Sequence, residues 1–168
     1  RYRPDIDGLR ALSVIAVILY HANTPGFQGG YLGVDVFFVI SGYLITQQLI
    51  QPASGDLRER LTTFYLRRAR RILPVLFAMM AVSALAALWL LFPGDLVRFA
   101  ESMGATALFG SNFDFWLRAG YFDAAAGTKP LLHTWSLAVA EQFYLVFPLL
   151  LLLLRARGRG LMLGLAAA

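Results

Sequence analysis

Four apolar runs, at about 9–23, 31–50, 73–92 and 135–154, each approach the roughly 20 residues that a helix needs to cross a hydrocarbon core about 30 Å thick. Backbone groups in lipid find no water and must bond within their own segment, so runs of this kind dictate helices. The fold class expected is therefore all-α, a polytopic transmembrane helix bundle, in keeping with a hydrophobic fraction of 58%. The first run is short and draws on its flanks. The chain opens on Arg1 and starts another apolar run at Leu161, so it reads as one membrane domain, the front part of a longer protein, with a truncated fifth span. A cleaved signal peptide is the rival reading of the start. The run ends at His21, Ala22 and Asn23 without a small-x-small cleavage pattern, which favours a retained anchor.

Orientation follows from arginine, because cytoplasmic flanks hold the excess of Lys and Arg. Arg1, Arg3 and Arg10 put the N-terminus inside. Two crossings later Arg58, Arg60, Arg67, Arg68, Arg70 and Arg71 fall on the cytoplasmic side. Leu57, Leu61, Phe64, Tyr65, Leu66 and Ile72 interleave with these arginines, so 57–72 is expected as an amphipathic helix at the cytoplasmic interface that runs into the third span at Pro74. Residues 93–133 hold Arg98, Arg118 and Lys129 against Asp95, Glu101, Asp114 and Asp123. The segment is expected as an extracytoplasmic excursion with a partly buried or re-entrant helix. A crossing at 96–113 would put Arg155, Arg157 and Arg159 outside.

All but Lys129 of the 15 basic residues are arginine, gathered near the ends of apolar runs. The net charge of +5 therefore reads as topology, with membrane lipid as the partner and not nucleic acid. Without cysteine there is no disulfide and no thiol nucleophile. Two histidines far apart make a poor ligand set, and no metal is expected.

Ionisable groups inside spans are costly and mark function by default. Arg10 and His21 lie eleven residues apart, which brings them within about 20° of one helical face and about 16 Å apart along the axis. The stripe is either a functional pair or an ordinary topology residue with a histidine capping a helix end. Asp35 enters the second span at a depth like that of His21, and His21 is its natural partner: the carboxylate would fix the imidazole tautomer. Gly42 shares the Asp35 face and, with Ser41, permits close approach of a helix or ligand. The fork-shaped donors of RRARRILP (67–74) suit anionic lipid first and the phosphates of a nucleotide-like donor second. His133, Thr134 and Ser136 sit at the outer mouth of the fourth span. Glu141, deeper on the Thr134 face, is expected to point into the bundle interior.

Four ordered blocks carry a resemblance: RPDIDGLRALSVIAVILYH at 3–21, GGYLGVDVFFVISGYLI at 29–45, FYLRRARRILP at 64–74 and LLHTWSLAVAEQFYLVFP at 131–148. Together they resemble the N-terminal part of the acyltransferase family 3 membrane proteins, which O-acylate lipopolysaccharide, peptidoglycan, exopolysaccharides and some small molecules. The resemblance makes Arg10 and His21 the first-helix pair, with His21 the catalytic base. It makes Asp35, Ser41 and Gly42 the second-helix motif, and Arg68 and Arg71 a paired-arginine motif for the acyl-CoA donor. Trp135, Ser136, Glu141, Phe143 and Tyr144 fall on a block usually written with two adjacent acids; Ala140 replaces the first of them.

The function this implies is transfer of an acyl group, acetyl foremost, from cytoplasmic acyl-CoA to a hydroxyl of an extracytoplasmic carbohydrate or glycolipid. The donor is a substrate, acetyl-CoA for instance, and no permanently bound cofactor is implied. Its phosphates would sit at Arg68, Arg71 and Arg10, its pantetheine arm would thread the bundle, and Asp35 or Glu141 would orient His21. The setting implied is the bacterial inner (cytoplasmic) membrane. Family members have about ten spans and can carry a fused extracytoplasmic hydrolase-like domain. The competing readings are a transporter or flippase for an acyl or glycolipid substrate, and a non-catalytic membrane scaffold.

Overall fold

The computed structural model describes residues 3–50, 57–119 and 128–156, and every regular element among them is helical. In chain order these are α1 (Pro4–His21), a 3-10 turn (Gly30–Leu32), α2 (Gly33–Ile50), α3 (Leu57–Leu90), α4 (Pro93–Ala107), α5 (Ser111–Arg118) and α6 (Thr134–Ala156). The chain divides into two compact units, residues 1–52 with 150–168 and residues 53–149. The truncated span expected from Leu161 lies outside the described residues.

Three of these helices are long and apolar enough to cross a membrane: Gly30–Ile50, Arg58–Leu90 and Thr134–Leu151. The α1 helix, expected as the first of four spans, falls short because Asp5, Asp7 and Arg10 crowd its first half. Many large apolar side chains point outward, Val39, Val75, Val82, Leu88 and Trp89 among them, as befits helices whose solvent is lipid.

In the first unit α1 and α2 form an antiparallel hairpin. Pro4 opens α1 at a position where its missing N–H costs nothing, and Asp5 and Asp7 complement the helix dipole. The helix ends where Asn23 turns left-handed at φ 53°, with the Thr24 amide bonded back to the Leu19 carbonyl and the Asn23 amide to that of Tyr20. The hairpin is tied at its open end by Arg3. Its guanidinium donates to both carboxylate oxygens of Asp5 (2.6 and 3.0 Å) and to the Tyr43 hydroxyl (3.2 Å), and it holds the Asp5 carboxyl down at about 2.

Nearer the turn, Gly30 and Gly33 let the backbones touch. A Cβ on Gly33 would stand 2.5 Å from the Ser13 carbonyl oxygen and 2.8 Å from Val17 Cγ2, and one on Gly30 would overlap the Ala16 carbonyl. In lipid, where hydrophobic transfer does not drive helix pairing, such close packing must do so. Gly30→Ala should force the hairpin apart and lower the stability of the full-length protein by about 1–3 kcal/mol. Thermal unfolding in detergent checks this, and an unchanged midpoint would show that the two backbones are not in contact.

In the second unit α3 is one unbroken helix of 34 residues. Residues 57–72 and the apolar run that follows them belong to this single helix. Pro74 lies inside the helix, where it removes one backbone donor without ending it. After a tight turn at Leu91 and Phe92, α4 runs back along α3. Ala87, Phe99, Phe115 and Leu131 form a buried core, with Met79, Ala84, Leu96 and Met103 packed around it. The far end of α4 brings Leu108 and Phe109 to the level of Ile72 and Leu73.

Candidate functional site

Unit one carries the imidazole. His21 is the last residue of α1 and is exposed. Its Nδ1 lies 2.8 Å from the Val17 carbonyl oxygen, one turn back. A carbonyl can only accept, so Nδ1 is the donor, and in the neutral ring the lone pair then falls on Nε2. The ring also meets Tyr20 edge-on at 5.2 Å, and Tyr20 in turn meets Tyr31 at 5.6 Å.

The sequence pointed to Asp35 as the group that sets this tautomer, but the structure gives that contact to a backbone carbonyl. Asp35 is exposed and makes no side-chain hydrogen bond or ion pair among the described residues. It stands in the first turn of α2, where the helix dipole favours a carboxylate. Arg10 is paired locally with Asp7 at 3.6 Å, and its guanidinium lies 6.0 Å from the Phe37 ring. Ser41 and Gly42 are half-buried on α2, and the Thr46 hydroxyl donates to the Gly42 carbonyl at 2.7 Å.

The second unit brings together residues that the sequence had placed at different depths. Tyr65, Arg68, Ala69 and Ile72 share one face of α3, and Glu141, Tyr144 and Leu145 share one face of α6. Arg68 Nε and Nη2 both donate to Glu141 Oε1, at 3.1 and 2.9 Å, and the guanidinium lies flat on the Tyr144 ring, 3.0 Å from its centre. Both side chains are largely enclosed, 23% and 13% exposed. The Tyr65 hydroxyl donates to the Leu145 carbonyl at 2.9 Å, one turn before Pro148 interrupts the backbone ladder of α6. These groups line a cavity of about 290 Å³ that is otherwise walled by Gln142 and apolar side chains. Arg71, one turn along α3, is exposed and makes no ion pair among the described residues.

Sequence reasoning passed over the residues that hold this site in shape. Gln142 donates to the Phe109 carbonyl and to Asn112 Oδ1, both at 2.8 Å, and the Asn112 amide returns a bond to Gln142 at 3.3 Å. This lock joins α5 to α6 and steadies Phe109, a non-glycine residue at φ 53°. An amide beside Glu141 in an apolar span was the available signal. Thr106 and Thr134, both buried, bond to each other at 3.1 Å, and Thr134 donates to the Leu131 carbonyl at 2.7 Å. His133 and Trp135 stay exposed at the start of α6, and the Ser136 hydroxyl donates to the His133 carbonyl at 3.1 Å. They do not join the Arg68–Glu141 cluster.

The family model described as an acyltransferase domain matches residues 3–168. The chain is 42% identical over 153 residues to a protein of Listeria monocytogenes named peptidoglycan O-acetyltransferase OatA, covering 90% of this chain and 24% of that one. It is 41% identical over 155 residues to a Staphylococcus aureus (strain MSSA476) protein named "Putative O-acetyltransferase", covering 92% and 25%. A Bacillus subtilis protein named "Putative peptidoglycan O-acetyltransferase YrhL" is 39% identical over 155 residues, covering 90% and 24%. The chain thus spans about a quarter of the length of these relatives. No solved structure matches it.

Proposed function

Because the chain belongs to the acyltransferase 3 family, we propose that it bears the base and the donor-side arginines of a membrane O-acyltransferase, which moves an acetyl or similar acyl group from cytoplasmic acyl-CoA to a hydroxyl of an extracytoplasmic carbohydrate. The relatives named as peptidoglycan O-acetyltransferases favour a glycan acceptor. The observation that carries the reading is the imidazole of His21. Its Nδ1–H is given to the Val17 carbonyl, so in the neutral ring Nε2 carries the lone pair at an exposed helix end.

In this mechanism Nε2 takes the proton of the acceptor hydroxyl while the hydroxyl oxygen attacks the thioester carbonyl carbon. The tetrahedral adduct collapses, the carbon–sulfur bond breaks, and the imidazolium returns its proton to the departing CoA thiolate. The products are an O-acyl ester, free CoA and the original base. On the donor side Arg71, exposed and without an ion pair among the described residues, offers its guanidinium to phosphate, and Arg10 has a long contact to Asp7. Arg68 is held by Glu141 and Tyr144, with Nε and Nη2 occupied. It thus contributes a positioned charge at the cavity, with Nη1 and the second Nη2 hydrogen as further donors.

The test is reconstitution of the full-length protein in liposomes with acyl-labelled acyl-CoA and a glycan acceptor. Ester-linked label on the glycan should appear with an equal amount of free CoA. Recovery of both compounds chemically unchanged, merely relocated across the bilayer, would refute the enzyme and favour a transporter.

A further inference from the structure

A second cavity in unit two, larger than the one at Arg68, belongs to none of the groups used so far. It encloses about 420 Å³ between the end of α3, the first turns of α4, α5 and the segment before α6. That is within the roughly 300–1,000 Å³ typical of pockets for small ligands. On α3 its near edge is Leu90, whereas the Arg68 cavity ends at Leu73. Seventeen residues of helix separate them, or about 26 Å, which is close to the thickness of a hydrocarbon core of about 30 Å. The cavity therefore stands at the end of α3 opposite the arginines.

Its lining combines buried aromatic rings with charges of both signs. Phe99 and Phe115 are buried and offer apolar faces. Asp95 and Arg98, one turn apart on α4, are exposed at the rim, and among the described residues neither makes an ion pair or a side-chain hydrogen bond. Arg118 is pinned by Glu101 and Asp114, each at 2.7 Å, and the hydrogen bond it donates to Glu101 foremost raises its pKa above the ordinary value. Asp114 also accepts from Ser102 at 3.1 Å, and Lys129 stands 5.9 Å from the Phe115 ring. Of the charges that line the cavity, Asp95 stands against Arg98, Arg118 and Lys129, and Glu101 and Asp114, outside the lining, compensate Arg118.

This balance is informative about the ligand. A polyphosphate or an acidic headgroup would call for uncompensated cations, and a lipid chain would call for no charges at all. A hydroxyl-rich ring both donates and accepts hydrogen bonds and presents a C–H face that rests on aromatic surface. It meets an unpaired carboxylate and an unpaired guanidinium on one rim with benzene rings beneath. We propose that this cavity is a binding subsite for an uncharged or N-acetylated saccharide, with Asp95 accepting from and Arg98 donating to the ring substituents. The inference rests on the proposed reaction in taking that saccharide to be the acceptor, but it assigns the holding of the acceptor to residues the reaction does not use.

The test uses the full-length protein in phospholipid nanodiscs, with tetra-N-acetylchitotetraose as the probe and saturation-transfer NMR as the readout. Binding should be detectable, and Arg98→Ala and Asp95→Asn should each weaken it about tenfold or more, because each removes a charge-assisted hydrogen bond. Both side chains are exposed, so the fold should tolerate either change. Undiminished binding by the Arg98 and Asp95 variants would overturn the assignment. So would native mass spectrometry in which those substitutions release a bound phospholipid and no saccharide is held. If the saccharide binds as expected while the His21→Ala protein still transfers acyl groups, the reaction fails and the subsite stands. The reverse pattern removes the subsite and leaves the reaction.

Discussion

Full-length protein carrying His21→Ala should lose acyl transfer by a factor of about 100 to 10,000, the usual worth of a general base, while remaining folded in the membrane. His21 is exposed at the end of α1, so its removal opens no cavity. The same geometry allows a structural account in which the ring merely caps the helix end by donating from Nδ1 to the Val17 carbonyl. His21→Asn separates the two. The amide nitrogen of asparagine occupies nearly the place of Nδ1 and can make the same contact, but nothing replaces the lone pair at Nε2. A base predicts that Asn is as inactive as Ala, and a cap predicts that Asn restores activity. The measurement is the rate of labelled ester formation at saturating donor, with expression and thermal unfolding recorded alongside.

Much of this architecture was legible because one physical constraint, the absence of water in lipid, acts on sequence directly. Helices over 31–50 and 135–154 coincide with α2 and with the greater part of α6 to within a few residues. What the sequence could not show was which side chains of two long helices come to face each other. The arginines at 67–71 read as an interface, so Arg68 was placed at the cytoplasmic mouth and Glu141 a turn and a half from the opposite one. The unbroken α3 brings Arg68 within bonding distance of Glu141 instead. A charge pair 73 residues apart leaves no periodicity to read. The contact made by Nδ1 of His21 is hidden for a related reason. Side chains advertise themselves in a sequence, and a backbone carbonyl such as that of Val17 does not. Gln142 shows only as an amide beside Glu141, and its pairing with Asn112, 30 residues away, leaves no mark in the sequence.

The pairing of Arg68 with Glu141 leads to the second large effect. Glu141→Ala should destabilise the full-length protein by about 3–5 kcal/mol, because it strands an enclosed guanidinium that had both Nε and Nη2 on one carboxylate oxygen. Within a span the stranded charge has little recourse, since Tyr144 covers one face and apolar side chains wall the cavity. Glu141→Gln keeps an oxygen for both donors and loses only the charge, so it should cost less than Ala. Removing both partners together, as Arg68→Met with Glu141→Leu, should recover most of the stability, because the desolvation of both ions disappears with them. Activity should not recover with it. If Arg68 also serves the donor, the double variant should fold like the parent and yet show a KM for acyl-CoA raised about tenfold or more, the worth of one charge-assisted bond to phosphate. Thermal unfolding in detergent and initial rates against acyl-CoA concentration measure the two effects separately. A double variant with parental KM would make Arg68 a strut between α3 and α6 and leave the donor to Arg71 and Arg10. A Glu141→Ala protein as stable as the parent would mean that the pair is solvated in the full-length protein.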